Sequence, residues 1–507
     1  MMKPAMERER SLWAWGWADK VPDDATRKGL VQLVRAFVPS VEPELRPMPG
    51  APDVPAPRVT SSPPLYSSDP RDRALHTRGR AFPDLVAGFA GDFHGAPDLV
   101  ARPRSTADVA QILEQCEARD WAVVPFGGGT SVVGGVDAAA ARGDREAVVS
   151  LDLAELAGVR EYDPVSRLAR IGAGTFGPRL EQELAAHGMT LRHFPQSFEF
   201  STLGGWLATR AGGHYATGPT HIDDHCHALE LVTPRGTLAT HRHPASGAGP
   251  EPARMVLGSE GAFGVITEAW MRVVPKPTHR ASAAITFPMF DQGVAAARAL
   301  AQSGLQPANA RLLDPMEAKL HRVRFDGTAV LLVAFESADH PVSIDRSLEL
   351  ARDHGGTVTS QKSGDSWKQA FFDAPYLQSQ LLSINVMSDT FETACTWTQF
   401  PSLDANVRAA VAAALPGAVV ACRFTHVYPD GPAPYYTFVG PMANWREVKT
   451  AACDAVHASG GTITHHHAIG RTHLPWARRE RGLATTMLAA IKSSLDPHAI
   501  LNPGVMI

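Results

Sequence analysis

The chain has 507 residues, 44% of them hydrophobic, which is enough for two large or three ordinary domains with full cores. A formal net charge of −4 with both signs intermixed excludes nucleic acid or a membrane surface as a partner held by bulk electrostatics. Five scattered cysteines (Cys116, Cys226, Cys395, Cys422, Cys453) with no C-x-x-C argue for reduced thiols in a cytoplasm and against a disulfide scaffold or zinc ribbon.

No apolar run is long enough to span a bilayer, so no transmembrane segment is expected. The opening stretch MMKPAMERERSLWAWGWADK has early charges but no apolar signal core, so secretion is not expected and a cytoplasmic location is. The many alanines and prolines are what a GC-rich bacterial genome would encode.

In chain order, a tryptophan cluster (Trp13, Trp15, Trp17) precedes a helical pattern at Leu30, Leu33, Val34 and Phe37. Residues 47–70 are rich in proline and serine and read as a linker or an extended arm. Arg71–Gly79 looks helical again. Leu99–Pro103 is a short apolar lead-in. Ser105 or Thr106 then caps a helix whose apolar positions are Val109, Ile112, Leu113 and Cys116. Ala122–Pro125 is the next strand.

That strand feeds the segment around which the chain is organised, VVPFGGGTSVVGGV over residues 123–136. Pro125, Gly127, Gly128, Gly129, Thr130 and Ser131 form a turn whose backbone must approach something closely. Glycine permits positive φ and bares its N–H groups, and successive N–H groups make a concavity for an anion such as a pyrophosphate. The Rossmann spacing fits poorly and the P-loop lysine is missing; the alternative is a plain glycine-rich hairpin.

Ala147–Leu151 and Leu168–Gly172 read as further strands, and Phe176–His187 as a helix ending before Gly188. Two more glycine and hydroxyl segments follow. The first holds Gln196, Ser197, Ser201, Thr202, Gly205, Thr209, Arg210 and Ala211; the second holds Glu260, Gly261, Gly264, Val265 and Ile266. Three such segments suggest one loop-built cradle rather than three unrelated turns. His214, His221, His225 and His227 read as a loop rim, because no partner spacing supports a metal.

From Pro277 a second α+β unit begins. Its strands are expected at Ile285–Met289, Val330–Phe335 and Thr357–Thr359, and its helices at Phe290–Ser303 and Val342–Gly355. Thr425–Val439 reads as a hairpin, Trp445–Ala458 as a helix and Arg478–Leu495 as a C-terminal helix. Between the last two stand His465, His466 and His467. Adjacent imidazoles cannot share one face, so no metal site is expected from these three alone. Two readings stay open: a satisfied polar strand end, or an active-site edge that moves protons near neutral pH.

Taken together, these segments resemble the PCMH-type FAD-binding domain of the vanillyl-alcohol-oxidase superfamily. The fuller set is similar to the alkyldihydroxyacetonephosphate synthase family: PFGGGTSV (125–132), QSFEFST (196–202), GGWLATRAG (204–212), GSEGAFGVIT (258–267), RLLD (311–314), FET (391–393), Tyr428 and the histidine triplet with Gly470. The resemblance implies an α+β fold with four parts: a helical and linker region (1–92), a two-part FAD-binding domain (93–277), a substrate cap (278–440) and a C-terminal segment that carries the triplet and returns to the FAD domain (441–507). It implies noncovalent FAD, since the turn reads Gly-Gly-Gly-Thr rather than the Gly-Gly-His of covalently attached members. It also implies an exchange of an acyl for an alkyl group on a dihydroxyacetone-phosphate-like substrate through a flavin adduct, without net redox change. By position, Tyr428 is then the general acid/base, the three histidines support proton transfer, and Arg311 holds the local electrostatics. A homodimer is expected by analogy with relatives.

One departure bears on substrate. Where the family carries a substrate-contacting arginine, this chain has Gln378, and after the triplet it places Arg471 where the family usually has a lysine. Gln378 and Arg471 are therefore the expected substrate contacts. The alternative function is an FAD-dependent dehydrogenase or oxidase of a hydroxy acid, alcohol or specialised metabolite; a third is a flavin-binding scaffold without catalysis.

Overall fold

A computed structural model describes residues 8–60, 65–215, 217–360 and 364–507, so part of the proline- and serine-rich stretch lies outside the described residues. Helix Thr106–Ala118 forms as its sequence dictates. The Ser105 hydroxyl accepts from the Asp108 N–H, the Asp108 carboxylate accepts from the Ser105 N–H, and Val109, Ile112, Leu113 and Cys116 are its buried residues. This helix joins two strands of a small sheet ordered Tyr66–Ser67, Leu99–Ala101, Val148–Asp152 and Ala122–Phe126, the last three mutually parallel. The glycine turn leaves from the carboxyl end of Ala122–Phe126, where ligands of α/β sheets bind.

A second sheet is antiparallel, in the order Val159–Asp163, Leu168–Gly172, Val265–Arg272, Cys226–Thr233 and Gly236–Ala239. The third is a seven-stranded antiparallel sheet ordered Thr357–Ser360, His279–Phe287, Ala329–Ser337, Asn309–Leu313, Val419–Val427, Pro432–Pro441 and Val386–Glu392. Its two faces separate by the period-2 alternation of strands. Cys422, Phe424, Tyr436 and Phe438 join Phe400, Leu403, Val448 and Ala452 of two covering helices in one core. Burying each such Phe stabilises by about 1.5–3 kcal/mol. The alternate positions Arg423, Thr425, Tyr435, Thr437 and Val439 face a cleft.

The expected hairpin is present and joins two adjacent strands, Val419–Val427 and Pro432–Pro441. The expected single C-terminal helix is instead two, Leu474–Arg481 and Ala484–Leu495, because Gly482 adopts φ +52 and ends the first. The tail then pairs with the first sheet: Val123 N–H donates to Ile500 O and Asn502 N–H to Val123 O, each at 2.8 Å. Of the N-terminal tryptophans, Trp13 packs on Phe89 in the core of the seven-stranded sheet, Trp15 lines the cleft and Trp17 lies against Phe200. Arg10 donates to Gly128 O. Among the described residues no helix is long and apolar enough to cross a membrane.

Candidate active site

The three glycine segments converge on one cleft. A Cβ on Gly127 would lie 2.3 Å from Thr202 Oγ1, one on Gly128 1.6 Å from Phe200 O, and one on Gly261 2.8 Å from Pro125. Gly128 meets backbone and Gly127 and Gly261 meet the Thr202 and Pro125 side chains, so each approach depends on the missing Cβ. The N–H groups of Gly128, Gly129 and Thr130 donate to no acceptor among the described residues, so the turn presents donors to an anion. That is the donor set a dinucleotide diphosphate requires, and the site residues fit FAD on this ground.

Pro125, Gly127, Gly128, Gly129, Thr130, Ser131, Gln196, Ser197, Ser201, Thr202, Gly205, Thr209, Ala211, Glu260, Gly261, Gly264 and Ile266 all line the cleft. Several hydroxyls are already used by the protein: Thr202 caps helix Leu203–Thr209, Ser201 Oγ accepts from Trp206 Nε1 at 2.7 Å, and Thr209 donates to Gly205 O. Two expected cofactor contacts fall elsewhere. Arg210 is tied to Asp223 at 2.9 Å, and the Val265 side chain is buried in the core under the first sheet. Arg210 is ion-paired with Asp223 and Val265 packs in the core, so neither is among the residues that line the cleft.

Glu260 links the cradle to the C-terminal segment. Its carboxylate accepts from Ile469 N–H at 3.0 Å and Gly470 N–H at 2.8 Å. Burial raises its pKa to about 7, against the pull of those two donors.

The opposite wall comes from the seven-stranded sheet. Arg311 is fully buried and donates to His214 O at 2.9 Å; burial, helped by Arg423, lowers its pKa to about 9. Arg423 pairs with buried Glu317 and lies 3.9 Å above the Tyr435 ring. Tyr435 donates to Thr390 Oγ1 at 3.0 Å, and burial raises its phenol. Its ring stacks on His466 and meets His467 edge-on.

Glu392 fixes the histidine triplet. One carboxylate oxygen accepts from His465 N–H at 2.6 Å; the other accepts from the Thr464 hydroxyl, His466 N–H and His467 N–H at 2.6, 3.2 and 2.9 Å. Burial opposes its charge, but His466, His467 and His465 and the Thr464 hydroxyl outweigh it and hold the carboxyl well below its ordinary range. Burial keeps the imidazoles neutral, lowering His466 to about 3 and His467 to about 4.

His466 and His467 line the cleft; Tyr428 and His465 do not. Tyr428 stands one layer back. Its hydroxyl is 2.8 Å from His465 Nε2 and 3.0 Å from Thr220 Oγ1. The phenol on the cleft is Tyr435, seven residues on. Tyr428 follows the end of its strand, whereas Tyr435 sits mid-strand on the inward face. Arg471 is also displaced: its guanidinium donates to Gly134 O and Pro503 O and clamps the tail, outside the cleft lining. Gln378 does line the cleft, but its amide donates to Asp389 Oδ1 and Ser388 O, both at 3.0 Å.

Sequence reasoning missed Arg423, Tyr435, Glu392 and His426. It also misread the 214–227 histidines as a rim. His221 bonds the His465 carbonyl and tilts against the His465 ring. Nor do the adjacent imidazoles stand alone: His426 joins His465 and His466 with one ring nitrogen of each within 4.8 Å, a grouping able to hold a metal ion. Only the strand partner His426, far away in sequence, makes that convergence.

The cradle and the cap sheet define an FAD-linked enzyme. Residues 97–241 match the family described as FAD binding domain, and residues 276–506 match FAD linked oxidases, C-terminal domain. The chain is 30% identical to alkyldihydroxyacetonephosphate synthase of Dictyostelium discoideum, over 88% of this chain and 79% of that one. It is 31% identical to the Caenorhabditis elegans protein of that name, over 86% and 80%. A solved alkyldihydroxyacetonephosphate synthase structure superposes with a TM-score of 0.82 at 25% identity, covering 97% of this chain and 98% of the other. The chain belongs to the alkyldihydroxyacetonephosphate synthase family of FAD-dependent enzymes.

Proposed function

We propose that this enzyme exchanges an acyl for an alkyl group on a dihydroxyacetone-phosphate-like ester with noncovalently held FAD, a reading supported by relatives named alkyldihydroxyacetonephosphate synthase. The observation that carries the reading is the inward face of the cap sheet: Tyr435, Arg423, Arg311 and His466 share one cleft with the glycine cradle. Bound FAD supplies a ring that can take up and return an electron pair. The chain supplies the rest. Arg423, paired with Glu317, and Arg311, which donates to His214 O, both line the cleft, and two guanidiniums there suit an anionic substrate head. Tyr435 lines the cleft with Arg423 over its ring, which supports it as the phenol that gives and takes a proton in this reading. Burial keeps His466 and His467 neutral, so they add no charge beside the arginines and are available as hydrogen-bonding groups on the cleft wall.

A second reading follows from Gln378. Its amide is engaged with Asp389 and Ser388, so this wall offers no cation at that position. A substrate with a smaller anion, such as a hydroxy acid, would then be oxidised in the same cleft. One experiment separates the two. Purified holoenzyme is mixed anaerobically with a long-chain acyl ester of dihydroxyacetone phosphate and a long-chain alcohol. Fatty acid release and ether formation without lasting loss of flavin colour support the exchange. Absence of ether product, with bleaching by a hydroxy acid, overturns it in favour of oxidation.

A further inference from the structure

Three arginines among the described residues line the cleft. Arg311 and Arg423 stand on the cap sheet, and the third, Arg80, stands beside the glycine turn. Arg80 comes from the loop between helices Pro70–Leu75 and Phe82–Phe89. That loop is pressed onto the turn. Arg80 N–H donates to Ser131 O at 2.6 Å, and a Cβ on Gly79 would lie 2.2 Å from the same oxygen. The guanidinium is therefore carried on backbone that is fixed to the turn itself.

This cation has no carboxylate partner among the described residues. Its terminal nitrogens donate to Gly79 O at 2.8 Å and Ser11 O at 3.1 Å, and its buried Nε has no partner. Asp84 is the carboxylate that acts on it, but Asp84 accepts from Ala81 N–H at 3.0 Å instead of pairing with the guanidinium. Arg80 is only 5% exposed, and burial lowers its pKa to about 10, so it stays charged at neutral pH.

A second guanidinium crowds the first. Arg10 donates to Gly128 O at 3.2 Å, lies 4.7 Å over the Phe200 ring and has a buried Nε without a partner among the described residues. Burial, then the nearby charge of Arg80, lowers Arg10 to about 9. Glu199 acts on it from a distance and accepts from Trp17 Nε1 at 2.6 Å. Burying like charges together is costly unless an anion joins them. The free N–H groups of the glycine turn orient an anion at this place without balancing its charge. Arg210 and Arg471, the cations the sequence offered, are engaged elsewhere, by Asp223 and by two carbonyls.

We propose that Arg80 is the cation of the flavin diphosphate site, pairing with the diphosphate that the glycine turn orients, and that Arg10 is a positioning residue that adds positive field and holds the turn through the Gly128 carbonyl. A guanidinium fork suits phosphate oxygens, and Ser11 O fixes one arm of the Arg80 fork. The cofactor site then reaches beyond residues 97–241, the stretch that matches the FAD binding domain, because Arg10, Ser11 and Arg80 all precede it. The N-terminal arm is part of that site.

The test titrates flavin-free protein with FAD and with riboflavin, which lacks the diphosphate and is read by its competition with FAD. Arg80→Gln should weaken FAD by about 10- to 100-fold and leave riboflavin unchanged. Arg80→Lys, which keeps the charge but not the fork, and Arg10→Gln should each weaken FAD less. Added salt should weaken FAD binding to the wild type more than to Arg80→Gln. If Arg80→Gln does not fold, Arg80→Lys and Arg10→Gln read the same contact. Wild-type FAD affinity in these variants, or an equal loss for riboflavin, overturns the assignment. The titration rests on the noncovalent attachment proposed above. Flavin that stays with denatured wild-type protein overturns that reading instead, and the flavin occupancy of purified Arg80→Gln against the wild type then decides this one.

Discussion

Replacing Gly128 by alanine should strip the enzyme of its flavin while leaving most of the fold standing. The new Cβ would lie 1.6 Å from Phe200 O, where real Cβ atoms essentially never come within 3.0 Å, a deficit of 3.0 − 1.6 = 1.4 Å. Both partners are backbone, so no rotamer change relieves the overlap, and the glycine turn must move away from the Ser197–Thr202 segment. Overpacking relieved by side chains costs about 1–3 kcal/mol, and a clash that displaces backbone belongs at or above that upper end. A domain stable by about 5–15 kcal/mol survives this, but a diphosphate cradle moved by more than an ångström does not keep its geometry. Flavin absorbance per mole of purified protein, read alongside a thermal melt, checks both halves of the expectation. Gly29→Ala is the control. Gly29 lies within helix Asp24–Phe37, and a methyl group added there would meet no atom within 4 Å. Alanine at that position should raise stability by about 0.5–1 kcal/mol and leave flavin untouched. A Gly128→Ala protein with full flavin and an unchanged melt would refute the convergence of the two loops.

Tyr435→Phe should lower kcat by about 10²–10⁴-fold with flavin retained, as loss of a general acid/base does, and steady-state kinetics reads it. Gln378→Arg should lower KM for a phosphorylated substrate by up to about tenfold, part of the new charge being taken by Asp389; an unchanged KM would mean that no phosphate reaches this wall. Acid should destabilise the protein earlier than carboxylate titration alone would. His193, His225, His426, His465, His466, His467 and His473 are held neutral by burial, so below about pH 6.5 the unfolded chain binds protons that the folded one refuses. Stability is fully present above that value and falls as pH drops through it, by at most about 1.4 kcal/mol per pH unit for each such histidine. Melting temperatures that stay flat from pH 7 to about pH 5 would contradict this.

Residue order alone was enough for the pieces whose physics is local. Ser105 and Asp108, with four apolar positions at helical spacing, set the start and the buried face of their helix, and three glycine runs marked where backbones must touch. Close approach needs a missing Cβ, and a missing Cβ is visible in a sequence. Which of two tyrosines seven residues apart looks into the cleft is a different kind of fact. It depends on where one strand ends and on the register of the next, and only pairing across the seven-stranded sheet sets Tyr435 inward and leaves Tyr428 a layer behind. The same holds for Arg471, whose charge is spent on two carbonyls brought to it by the returning tail and the glycine loop. It holds for Glu392 too, whose four donors all come from a loop far along the chain. Long-range partners carry no signature in local spacing; the packing of distant segments chose them.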